Sequence, residues 1–268
     1  MHIPTIPVFA FAVLLLAAGC RTPPAETAVE PADQAYDALM IRADQAVSQG
    51  SYDTASRLYG RAMDRAMVID HPLKIARAAL CRCAFALNAE EAEEADRCLA
   101  ILKTLDLDAQ PELQIRIADF GLRRLLLAEQ PDEETVGKQK QALALAQAKV
   151  TGRSAPPLAF VMLDAQLTVL EAELRAGRTV GENRFPELET MQDLPPGLAT
   201  RYLALVAWVT RDAEVWMDAI RRYARAGNIP AALREARRCS EVLHSEAAAT
   251  LGKRIAEGAG KRVKGSDE

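Results

Sequence analysis

From residue 33 to residue 257 the apolar residues recur three and four apart, in one short segment after another. That is the period of a helix with one buried face, whereas a half-buried strand would alternate every two residues. The segments run near 33–49, 52–69, 72–88, 91–105, 111–129, 133–150, 157–176, 196–210, 213–226, 229–243 and 245–257. Turn-forming strings separate them, among them "QGSY", "DHP", "DAQPE", "SAPP" and "AGNIP". In such strings Gly permits a left-handed residue and Pro ends or restarts a helix. Only "GRTVGENRFPELETMQDLPPG" breaks the rhythm, and it reads as a long loop over 178–195 with room for one short helix. The expectation is an all-α chain.

Composition limits the choice further. Aromatic residues are 5% of the 268, too few for a chain built on sheets, which favour aromatic and β-branched side chains. A formal net charge of −4 gives no electrostatic footprint for nucleic acid. The one basic cluster, "GKRVKG", falls in a segment, 259–268, that reads as a tail.

Short helices joined by small turns imply stacked pairs, which calls for a search for repeats. "GSYDTASRLYGRA" sets Gly50, Tyr52, Ala55, Tyr59 and Ala62 at spacings of 2, 3, 4 and 3. "GNIPAALREARRC" repeats that ladder with Gly227, Ile229, Ala232, Ala236 and Cys239, and "WMDAIRRY" precedes it with Trp216 and Tyr223 seven apart. A third copy carries Ala79, Cys83, Ala86, Ala95, Leu99 and Leu102, with Glu90 in place of its turn glycine. Small residues let two helices approach closely, and the large ones fill the gap to the next pair. These stretches resemble the tetratricopeptide repeat. The resemblance covers residues 35–66, 76–105 and 212–243 and lapses over 106–195. It implies an irregular α-solenoid of stacked antiparallel helix pairs, with one repeat region over 35–177 and a second over 196–258. It also implies a peptide-binding groove lined by Asp37, Met40, Asp44, Arg77, Leu80, Glu214, Met217, Arg221 and Arg225.

The N-terminus reads as an address. Residues 7–18 form an apolar run of 12, short of the roughly 20 residues that span a bilayer but right for the core of an export signal. The run ends in Ala17-Ala18-Gly19-Cys20, which resembles the lipobox of bacterial lipoproteins. The resemblance implies that residues 1–19 are removed and that Cys20 carries the lipid, palmitate being a usual acyl group. Residues 21–34 then hold two adjacent prolines and no apolar periodicity, as a tether would. Arg21 stands where an Asp would retain an enterobacterial lipoprotein at the inner membrane. In a host with two membranes the outer one is therefore expected.

Catalytic patterns are not found. The mature chain would keep only His71 and His244, one beside a proline turn and one late in a helix. Neither stands in a metal-ligand spacing or a nucleophile relay. "GAGKR" lacks the spacing of a phosphate loop, and acid runs such as "EEAEEAD" suit solvated helix starts. No cofactor and no metal is expected. Cys81, Cys83, Cys98 and Cys239 remain. The repeat register turns Cys83 toward Ala95 and Cys81 away, so Cys81 and Cys98 are expected to be near one another but free. The reading is a scaffold or adaptor for a protein partner in the cell envelope. The alternative is a peptidoglycan-associated enzyme or the regulator of one.

Overall fold

The computed structural model describes residues 31–128, 131–150, 156–185 and 194–264. Among these are eleven α-helices and no strand. They are α1 (Pro31–Ser48), α2 (Tyr52–Val68), α3 (Pro72–Asn88), α4 (Ala92–Lys103), α5 (Pro111–Leu125) and α6 (Glu133–Ala148). The second half adds α7 (Pro156–Arg175), α8 (Pro196–Thr210), α9 (Ala213–Arg225), α10 (Ile229–Leu243) and α11 (Glu246–Lys264).

The helix starts follow local chemistry. A proline occupies one of the first two positions of α3, α5, α8 and α10, where its missing N–H costs nothing. Three side chains cap four further donors: Asp132 accepts from Thr135 N, Asp212 from Glu214 N and Val215 N, and Asn228 from Ala231 N. Most of the described turns share one device, a left-handed residue. Gly50 and Gly227 supply it at φ of 73° and 78°, and Asp70, Glu90, Arg211 and His244 supply it at some strain. Glu90 thus takes the place that glycine holds in the other copies.

Neighbouring helices pack on one another along the chain, as a solenoid requires, and α3–α5–α7 form an inner row. The core is accordingly a series of clusters. One joins α1 to α5 around Tyr59, Cys83 and Leu102. A second joins α5 to α7, a third α7 to α8, and a fourth α8 to α11 around Trp216. The alanine ladder lies at the closest approaches: Ala55, Ala62 and Ala232 are fully buried, and a Cβ on Gly252 would sit 3.2 Å from Ala236. Cys83 Sγ lies 3.9 Å from the Ala95 carbonyl, and Cys81, Cys83, Cys98 and Cys239 are free thiols.

The structure departs from the expected boundaries at both ends. The tether was expected to reach residue 34, yet α1 begins at Pro31, a residue suited to a first turn. The tail was expected from 259, yet α11 continues to Lys264. Within the loop, Glu182–Arg184 form a 3-10 turn, Val180 is buried, and Phe185 meets Tyr202 edge-on at 5.6 Å.

One feature is tertiary alone. The array curls until the α9–α10 turn meets the α1–α2 turn. Tyr52 Oη donates to the Ala226 carbonyl at 2.8 Å, 174 residues away in sequence. A Cβ on Gly227 would lie 3.3 Å from the Gly50 Cα, so the paired turn glycines also let two backbones touch. Arg237 reaches Glu90 at 3.9 Å on the same side.

Candidate functional site: an arginine-rich cavity

The inner row places polar side chains at helical spacing on apolar helices. On α7 these are Asp164, Thr168, Glu171 and Arg175, which share one face. Helix α5 contributes Arg116, Asp119 and Arg123, α8 contributes Arg201, and α10 contributes Arg234, Glu235 and Arg238. Together they form a mostly buried ionic network.

Arg201 is its hub. Its Nη1 donates to Asp164 Oδ1 at 2.6 Å, and its Nη2 donates to Thr168 Oγ1 at 2.8 Å and Glu171 Oε2 at 3.2 Å. Arg238 donates to Glu171 Oε1 at 2.8 Å and to Glu235 Oε1 at 3.0 Å, while its guanidinium lies 4.5 Å from the centre of the Trp208 ring. Trp216 Nε1 donates to Glu235 Oε2 at 3.1 Å, and Trp208 stacks on Trp216 at 6.0 Å. The Thr168 hydroxyl donates to Asp119. Buried charge needs such company, because an isolated ion in the interior costs several kcal/mol (roughly) even after relaxation.

Two arginines are less well served. Arg123 Nη2 lies 2.8 Å from Asp119 Oδ2 and 2.5 Å from Asp164 Oδ2. Both carboxylates therefore share that one nitrogen, and its Nε is buried without a hydrogen-bond acceptor among the described residues. Arg175 Nη1 donates to the Leu126 carbonyl and Nη2 meets Glu171 at 3.4 Å, while its Nε is buried and has no acceptor among the described residues. Each such orphan donor costs about 1–3 kcal/mol.

The carboxylates respond to their positions. Burial alone would raise Glu171, but Arg238, Arg201 and Arg175 outweigh it and hold the carboxyl well below its ordinary range. Burial likewise acts against ionised Asp164, yet Arg123 and Arg201 bring it down to about 2. Asp119 goes the other way. Burial, with the Asp164 charge adding to it, raises it despite Arg123.

Around these side chains lies a cavity of about 360 Å3, walled by α3, α5, α7, α8, α9 and α10. Arg116 lines it from an exposed position, so the cavity meets solvent there. Six arginines (116, 123, 175, 201, 234 and 238) face four carboxylates (119, 164, 171 and 235), a formal excess of two positive charges.

None of the nine groove residues expected from sequence lines this cavity. Asp37 sits 3.3 Å from Lys74 Nζ, and Asp44 accepts from Tyr59 Oη at 2.5 Å. Met40 and Met217 are half-buried against the first and last core clusters. Arg77, Glu214, Arg221 and Arg225 are exposed. Leu80 is a correction: it is only 6% exposed, because α3 is flanked by α2, α4 and α5 and turns Leu80 into the core. Cys20 and the export segment lie outside the described residues. Among the described residues no helix is long and apolar enough to cross a membrane, and no group of three or more His, Cys, Asp or Glu could hold a metal ion. His71 accepts from Lys74 N at the start of α3, and His244 closes α10 in a left-handed conformation.

Sequence reasoning missed the cavity, although a signal was there. "FVMLDAQLTVLEAELR" and "LATRYLALVAW" each set single charged residues inside apolar helices, where a buried charge must find a partner. No protein-family model matches this chain, and neither a curated protein nor a solved structure does.

Proposed function

We propose that this protein is a bacterial lipoprotein with tetratricopeptide-like helix pairs, anchored through Cys20 and acting as a scaffold or adaptor for a protein partner in the cell envelope. The observation that carries the reading is the inner row. Helices α3, α5 and α7 are held around a cavity instead of closing on it, and the array that holds them returns upon itself at Tyr52 and Ala226. Such an arrangement presents a shaped surface at the end of a tether. The "AAGC" string supports the anchor, and Arg21 supports the outer of two membranes.

Pull-down of intact lipoprotein from detergent-solubilised envelopes tests it, with a stoichiometric protein partner expected. Release of muropeptides by the purified protein, without such a partner, would replace the scaffold with a peptidoglycan enzyme. The anchor is tested separately. Cys20→Ser should abolish fatty-acid labelling, and a wild-type protein without lipid by mass spectrometry would end the lipoprotein reading.

A further inference from the structure

Guanidinium groups already spent on carboxylates do not call for a ligand, and Arg201 and Arg238 are of that kind. Arg123 and Arg175 are held by carboxylates as well, and the Nε that each keeps without an acceptor among the described residues is closed off from the cavity. Two other arginines on the cavity wall, Arg116 and Arg234, are not spent. Arg234 reaches only Glu235, at 3.6 Å, and Arg116 makes no ion pair among the described residues. The acids of the network are already shared among several arginines. Much of the remaining wall is apolar, with Leu127, Phe160, Val161 and Leu198.

We propose that the cavity binds a small organic carboxylate whose charged end is taken up by Arg234 and whose body lies along Leu127, Phe160 and Leu198. A carboxylate offers two oxygens in one plane, which match the planar N–H fork of a guanidinium group. The excess of positive charge excludes a cationic ligand of the same shape. Inorganic phosphate alone would leave the apolar wall unfilled. The volume, about 360 Å3, falls in the range of roughly 300–1,000 Å3 typical of small-molecule sites. Arg116, exposed where the cavity meets solvent, draws the anion in. The inference rests on the cavity wall and is independent of the partner-binding reading, since either can hold without the other.

The test is calorimetric titration of the purified full chain with 4-phenylbutyrate, with 4-phenylbutylamine as the matched cation and inorganic phosphate as the charge without a body. Thermal melting is followed in parallel. The expected result is saturable binding of 4-phenylbutyrate at millimolar concentration, a raised Tm, no saturable binding of the amine, and weaker binding of phosphate. R234Q should weaken 4-phenylbutyrate binding at least tenfold, as loss of a charge-assisted hydrogen bond does. R116Q changes an exposed side chain, so its fold is secure, and it should reduce the association rate and its salt dependence. Equal binding of the amine, equal binding of phosphate, or no binding of 4-phenylbutyrate overturns the proposal. Unchanged affinity in R234Q with an intact melt does so as well.

Discussion

The first four helices and the stretch from α5 to α10 solve the same problem by different means. In α1–α4 the contact surfaces are apolar and small: Ala43, Ala55, Ala62, Ala76 and Ala95 are fully buried, and Tyr59 and Cys83 fill between them. Ion pairs there lie toward the surface, as with Lys74 between Asp33 and Asp37. In the second region the contacts between α5, α7, α8 and α10 include Asp119, Thr168, Arg201, Glu171 and Arg238, most of them buried. Apolar contact tolerates small displacements. A buried ion does not, because a misplaced partner leaves a charge without solvent. The first region therefore contributes stability, and the second contributes position. A cavity stays open only where position is enforced.

The sharpest way to break that contrast is Glu171→Ala. It strips partners from Arg201, Arg238 and Arg175 together, and about 3–5 kcal/mol of unfolding free energy should be lost in a urea melt. A loss below about 1 kcal/mol would mean that the network is solvated and positions nothing.

The same carboxylates set a pH dependence. Asp164 and Glu171 have folded-state pKa values below their ordinary ones. Their contribution is complete above about pH 5.5, where the unfolded groups are ionised, and is lost as pH falls through the folded values, about 2 for Asp164. Asp119 opposes this, since its raised pKa means that protonation favours the folded chain. Asp119→Asn should therefore steepen the acid loss and Asp164→Asn should flatten it. Urea melts from pH 7 down to pH 2 decide; identical slopes in the two variants would refute the assignment.

Ala55→Leu and Ala232→Leu test the apolar mode in both halves. Each should cost about 1–3 kcal/mol by overpacking, and Ser at the same positions should cost less. A harmless Ala232→Leu would mean that α9, α10 and α11 approach less closely than Gly252 and Ala236 indicate.

Tyr52→Phe removes the hydrogen bond that closes the array and should cost about 0.5–1.5 kcal/mol. Greater protease sensitivity at the α9–α10 turn should accompany it. Asp37→Asn should have the smallest effect, below about 1 kcal/mol, because that carboxylate is 59% exposed at Lys74. A larger loss there would erase the distinction between the two regions.

Much of the array was legible before the structure. Spacings of three and four placed the helices, proline and glycine placed most turns, and the alanine ladder identified which faces meet, including Cys83 against Ala95. Glu90 in a left-handed turn was legible only through the register of the other copies. The groove was misjudged in one respect for a physical reason. Leu80 is placed by its own helix alone in a sequence, but three neighbouring helices decide whether it faces a groove or a core.

Sequence by itself determined the helices, their order, their turns and the small-residue faces, because each of these depends on residues a few positions apart. Only tertiary structure decided the closure of Tyr52 on Ala226 and the meeting of Asp119, Asp164, Glu171, Arg201 and Arg238. Those side chains are drawn from helices up to about 120 residues apart, and helical periodicity carries no information beyond its own segment. Each charge announced that it needed a partner. The curvature of the whole array, a sum of small rotations between packed pairs, chose which partner it found.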